Sequence, residues 1–179
     1  MKALATAALL VLVTGCGQGK AIFNVDVYSF MAGTGKDTIP YAIPPGGSAS
    51  ASTFQKFQLP PGFGSSVVDS VRITTGSANL INTGGSGALG FSIYFAADSA
   101  GTLSAPSALD VPPTSVSGTN TVPVTISGDL SSAINAVFTK DTVWIRISAT
   151  GTNSGVTPVT GRGALTALVV RVVVQDKIL

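Results

Sequence analysis

Through much of this chain apolar and polar residues alternate one by one, the period of a strand with one face buried. The cleanest run sets Leu89, Phe91, Ile93 and Phe95 against Gly90, Ser92, Tyr94 and Ala96, so its four large side chains belong in a core. Phe23, Val25 and Val27 alternate with Asn24 and Asp26, which predicts a strand within 21–30. Val143, Ile145 and Ile147 alternate with Trp144 and Arg146 in the same way. Further strands are predicted at 54–59, closed by Pro60-Pro61-Gly62, and at 122–126, where Pro123 favours a sheet edge or a strand start. Over 67–81, Val67, Val71 and Ile73 share one parity and the pattern breaks at Gly76-Ser77, so two strands or one kinked strand would fit. The run 169–174 is apolar on both parities except at Arg171, which suits a central strand. At an open edge the same run would invite pairing with another chain.

One stretch changes period. Leu130, Ile134 and Val137 fall on one helical face with Asp129 as a plausible N-cap, predicting a single short helix within 129–138. Two stretches rich in Gly, Pro and Ser, 32–52 and 98–121, read as long loops, the first holding at most a short edge strand around Ile39, Tyr41 and Ile43. Many short strands between such loops, with one brief helix, predict an all-β fold: an antiparallel β-sandwich, jelly-roll or immunoglobulin-like, in one domain over 21–179. Within the first loop, Gly33-Thr34-Gly35-Lys36-Asp37-Thr38 superficially resembles a phosphate loop. It lacks the earlier glycine, having Phe30 there, and sets Asp37 where a hydroxyl should follow the lysine, so phosphate binding is not expected.

Composition narrows the chemistry. Charged residues make up 10 % of the chain, against about 25 % in ordinary soluble domains, so solubility must rest on Ser, Thr, Asn and Gly. The formal charge is only +2 and no basic cluster occurs, which gives no reason to expect a nucleic-acid partner. The chain has no histidine, and all of its acidic residues are aspartates: Asp26, Asp37, Asp69, Asp98, Asp110, Asp129, Asp141 and Asp176. Ser-His-Asp and Cys-His sites, histidine-bearing zinc sites and the usual glutamate acid/base pair are therefore excluded. No cofactor motif is present, and a non-enzymatic role is the expectation. Catalysis by Asp, Ser, Lys or Tyr alone, as in a carbohydrate-active hydrolase, is the less favoured alternative.

The first twenty residues have a different character. Lys2 is followed by an apolar stretch, 3–13, that would make about 16 Å of helix, half the ~30 Å of a membrane span. A charged start, a short apolar run and small residues before the break describe a signal-peptide helix. The run closes on Val13-Thr14-Gly15-Cys16, which resembles the lipobox of bacterial lipoproteins. Thr14, and Val13 in place of Leu, are departures from the commonest form of that motif.

That resemblance implies removal of 1–15 and diacylglycerol on the sulfur of Cys16, with 16–20 as a lipidated start and short tether. The partner there is membrane lipid, and two or three acyl chains make the attachment durable. It also implies an exported protein anchored to the cell membrane; Gly17, where Asp would favour inner-membrane retention, points to the outer membrane in a host that has two. The tether spans at most about 18 Å, so the domain sits close to its anchor. With its one cysteine acylated, the domain has no thiol for a disulfide.

One constellation is a candidate for recognition. If Val143, Ile145, Ile147, Phe91, Ile93 and Phe95 point inward, then Trp144, Arg146 and Tyr94 point outward. Arg72 and Arg171 fall on the less apolar parity of their own strands. On neighbouring strands these five would form a face of aromatic rings and guanidinium groups suited to a glycan or an envelope protein. The sequence thus predicts a lipid-anchored, non-catalytic binding or structural module of the cell envelope. A self-assembling surface subunit is the alternative, motivated by the low charge and the valine run.

Overall fold

The computed structural model describes residues 20–59, 67–130 and 132–175. The leader with Cys16, the Pro60-Pro61-Gly62 closure and Asp176 lie outside these residues. The strands pair like one long hairpin folded back on itself. At the outside of the nest, β1 (Lys20–Asp26) and β2 (Thr38–Ile43) both pair with β10 (Val159–Gln175). Inside them β3 (Ser48–Gln58) pairs with β9 (Thr142–Thr152), and β4 (Val67–Gly84) with β7 (Asn120–Thr125) and β8 (Gly128–Asp129). At the centre β5 (Ser86–Ala96) pairs with β6 (Leu109–Ser117). All of these ladders are antiparallel. Two more, β10 with β4 and β9 with β5, roll the hairpin into two sheets: β1 and β2 beside β10, then β4, then β7 and β8; and β3-β9-β5-β6. This nesting is a jelly roll, which settles the choice left open between that and an immunoglobulin-like sandwich.

The inward residues predicted on β5 and β9, together with one parity of the valine run and Leu168, fill the space between the sheets. Leu89, Phe91, Ile93 and Phe95 of β5, Val143, Ile145 and Ile147 of β9, and Leu168, Val170, Val172 and Val174 of β10 are all buried. The valine run is interior to its sheet, with β1 on one side and β4 on the other. Pro123 lies on an edge strand, as its missing N–H requires.

Residues 67–84 form one strand, and its broken pattern comes from bulges. A register shift between Val173 and Val174 inserts a residue opposite β10, so Val68 turns inward at 7 % exposure and Val67 outward at 44 %. Val67 therefore does not share the buried parity of Val71 and Ile73. A second shift, between Val169 and Val170, moves the buried parity to Ala78, Leu80 and Asn82.

Three expectations need correction. The predicted single helix is one of several short turns: α1 (Val27–Met31), α2 (Gly101–Ser104), α3 (Ser132–Asn135) and a 3-10 turn, Val137–Thr139. The strand expected over 21–30 stops at Asp26, whose carboxylate accepts the Ser29 N–H at 3.2 Å and turns the chain into α1. Asp98 does the same for Gly101 at 2.6 Å. Such single turns are too short to leave a helical period. Asp129, expected as a helix cap, is a β8 residue opposite Arg72. The second correction is that β6 occupies a stretch that reads as loop. It is an edge strand interrupted by Pro112-Pro113, and only Val116 along it is fully buried. The third is that β3 begins at Ser48 and not at 54, because its first half carries only Ser and Ala.

The two ends of the sandwich differ. At the base, β1 begins at Lys20 in register with Gln175 and Val67. At the tip lie the β4–β5 turn, the glycines Gly46, Gly85 and Gly118 with positive φ, and the 153–158 loop.

Candidate functional site

The five residues expected on one face occupy two. Tyr94, Trp144 and Arg146 point away from the core of the β3-β9-β5-β6 sheet. Arg72 and Arg171 lie directly opposite each other on the outside of the other sheet. Arg72 approaches Asp129 at 3.4 Å, with both side chains largely solvated, a pair that contributes little. Arg171 faces Asn24 on β1. The remaining three form the candidate site, and sequence parity gave their direction correctly.

Cross-strand register arranges the outer face of the β3-β9-β5-β6 sheet in rows. Nearest the base, Lys56, Trp144 and Ala96 lie side by side; the next row is Phe54, Arg146 and Tyr94. Toward the tip follow Ser52, Ser148, Ser92 and Asp110, then Ser50, Thr150 and Gly90, then Ser48, Thr152 and Ala88. The face thus passes from aromatic and cationic near the base to small and hydroxylic near the tip. Its far half holds a shallow groove of about 410 Å³ between Ser48, Ser50, Thr150, Thr152 and Pro113.

Arg146 is held from two sides. Its guanidinium lies 3.6 Å from the centroid of the Tyr94 ring. Its Nε–H donates to the Thr102 carbonyl at 3.0 Å. Thr102 is the buried residue of α2, which folds over this corner of the sheet and is tied down by its own hydroxyl to Ser99 O at 2.7 Å. The stack covers one face of Tyr94, which leaves Trp144 and the smaller ring of Phe54 as the other aromatic surfaces of these rows. Next to Thr102, Leu103 stands 67 % exposed and adds an apolar flank. Nothing in Gly101-Thr102-Leu103-Ser104 signals this clamp. Of the aromatic neighbours, Phe54 was legible only as a strand residue.

Asp110 is the carboxylate of this face. Ser92 and Ser107 donate to its two oxygens at 2.6 and 2.7 Å, and these bonds hold its pKa below the usual carboxylate value although it is exposed. Of the other described aspartates, Asp26 and Asp98 cap turns, while Asp69 and Asp129 meet Lys20 and Arg72. Among the described residues no group of three or more His, Cys, Asp or Glu could hold a metal.

The jelly roll is the class this geometry defines, and it hosts many unrelated functions. No protein-family model matches the chain, and no curated protein matches it. Among solved structures the chain is similar to a chain of infectious bursal disease virus, Gx strain, at 9 % identity and a TM-score of 0.42, covering 99 % of this chain and 37 % of that one. It is also similar to a chain of the T13 IBDV viral particle, at 10 % identity and a TM-score of 0.37, covering 98 % and 44 %. This chain spans less than half of either.

Proposed function

We propose that the protein is a bacterial lipoprotein, exported, acylated on Cys16, and serving in the cell envelope as a non-catalytic module that holds a ligand on the outer face of its β3-β9-β5-β6 sheet. The observation that carries the binding role is Trp144, set beside the clamped Arg146–Tyr94 stack on a face whose tip half is built largely of small hydroxylic residues. The anchor rests on the resemblance of Val13-Thr14-Gly15-Cys16 to a lipobox. Its consequence is positional: β1 starts four residues after Cys16, so Lys20, at the base of the domain, would lie within about 18 Å of the acylated residue.

Mass spectrometry of the mature N-terminus should find acyl groups on Cys16. The Cys16→Ala protein should move from the membrane fraction to the soluble one. An unmodified wild type recovered free of membranes would remove the anchor.

A second reading, a subunit that assembles with copies of itself, is favoured by one feature other than the valine run. Pro40, Pro112-Pro113 and Pro123 interrupt the edge strands β2, β6 and β7, whereas β3 is an edge strand of 11 residues without proline or bulge. Sedimentation velocity over a wide concentration range should then reveal a dimer or larger species. A strict monomer would dismiss it.

A further inference from the structure

Building on that reading of the face, we propose that its ligand is an acidic oligosaccharide, with one sugar ring stacked on Trp144 and a carboxylate of the chain gripped by Arg146 and Lys56. The argument starts from the hydrogen-bonding state of Arg146. Its Nε–H is taken by Thr102 O and its plane is fixed against Tyr94, so the side chain has already lost the freedom a flexible arginine would lose on binding. Among the described residues no carboxylate lies within ion-pair distance of Arg146, and its terminal nitrogens make no recorded hydrogen bond. A preset planar fork of this kind fits two carboxylate oxygens side by side.

Lys56 completes the charge complementarity. It stands across from Trp144 on β3, exposed, and it too has no acidic partner among the described residues. Asp110 lies one row nearer the tip than Arg146 and two strands from it, and farther still from Lys56, so it forms an ion pair with neither. The indole is therefore flanked by two cations that make no ion pair among the described residues, while Asp98, beside Ala96 at the β5 end of the row, accepts the Gly101 N–H; the arrangement favours a ring carrying negative charge over a neutral one. Beyond this end, the rows from Ser148 to Thr152 continue for about 14 Å of strand, lined largely by Ser and Thr hydroxyls. That length and chemistry suit further sugar rings of a chain. With two cations at one end of five rows, the face lacks the basic stripe that a nucleic-acid backbone needs.

Trp144 is the only tryptophan in the sequence, so its emission reports this site alone. The full-length protein in detergent is titrated with oligogalacturonate and hyaluronan oligosaccharides, and with maltohexaose as a neutral chain. The acidic chains should produce a saturable change in emission that weakens at high salt. Arg146→Gln should raise the midpoint at least about tenfold, Lys56→Gln a few-fold, and Arg171→Gln on the opposite sheet should leave it unchanged. Saturable binding of maltohexaose without the acidic chains would overturn the inference while leaving the face a binding site. No response to any chain would overturn the inference and the binding role together, and an acidic-chain response indifferent to Arg146→Gln would also reject it.

Discussion

Truncation of Phe138 to alanine is expected to remove about 3–5 kcal/mol of stability, a large share of the 5–15 kcal/mol that a domain commonly has. Phe138 belongs to the 3-10 turn between β8 and β9 and is fully buried. Its ring meets Phe95 of β5 edge-on at 5.4 Å and lies 6.5 Å from Phe57 of β3, which in turn stacks on Phe30 of α1 at 5.9 Å. The four rings thus join two strands of one sheet to two short connections: α1, which lies between β1 and β2 along the edge of the other sheet, and the 3-10 turn, which precedes β9. Removing the central ring leaves a cavity among side chains held by two ladders, which can collapse only partly. Urea unfolding should show a lower midpoint with an unchanged slope. Phe138→Leu should recover most of the loss, because volume and apolarity are largely kept. A cost for Phe138→Ala below about 1 kcal/mol would show that the base packs without it.

What the sequence made legible follows from period two. On β5 and β9 every large alternate residue is buried, and the outward direction of Tyr94, Trp144 and Arg146 was readable from the same parity. Parity fails where a bulge intervenes, and β4 carries register shifts that reassign Val67 and Val68. It is also silent on which sheet a strand joins. Arg72 and Arg171 do point outward, but β4 and β10 lie in the opposite sheet from β5 and β9, so the five-residue face becomes two. Strands of small or interrupted composition, such as the first half of β3 and the whole of β6, bury little side chain of their own. They are held by neighbours distant in sequence, and no local signal announces them.

The candidate site depends on the same long-range information. The Arg146–Tyr94 stack needs β9 beside β5 in one register, and the Thr102 carbonyl needs α2 folded back over that corner. Neither the spacing between residues 94 and 146 nor the sequence of α2 contains that instruction. The low charge of the chain was visible from the start and acquires a location only in the fold. The hydroxyls of Ser48, Ser50, Thr150 and Thr152 keep the tip half of one face wet without charge, while Arg146 and Lys56 concentrate positive charge at its base half.

At the tip, Asn153→Ala is expected to cost about 2–3 kcal/mol, and Asn153→Asp more than that at neutral pH. Asn153 is 3 % exposed. Its Nδ2 donates to Thr157 O at 2.8 Å, Pro44 O at 3.1 Å and Ile43 O at 3.3 Å, while its Oδ1 accepts from Gly155 N–H at 2.8 Å. One amide therefore binds the β2–β3 turn to the β9–β10 loop, and alanine removes three donated bonds and one accepted bond from that junction at once. Aspartate keeps the acceptor for Gly155 but turns a second oxygen on three carbonyl oxygens. Burial and those dipoles favour its protonated form and raise its pKa in the folded state above the ~3.9 of the unfolded chain. The sign follows by linkage. Below about pH 4 both states are protonated and the carboxyl proton can serve one carbonyl; as pH rises the unfolded state ionises first, and stability is lost until the folded carboxyl ionises too. Denaturant unfolding of the two variants should therefore agree most closely near pH 4 and diverge by pH 8, with the aspartate the weaker. Parallel losses at both pH values would mean that the Asn153 amide does not hold the two tip segments together.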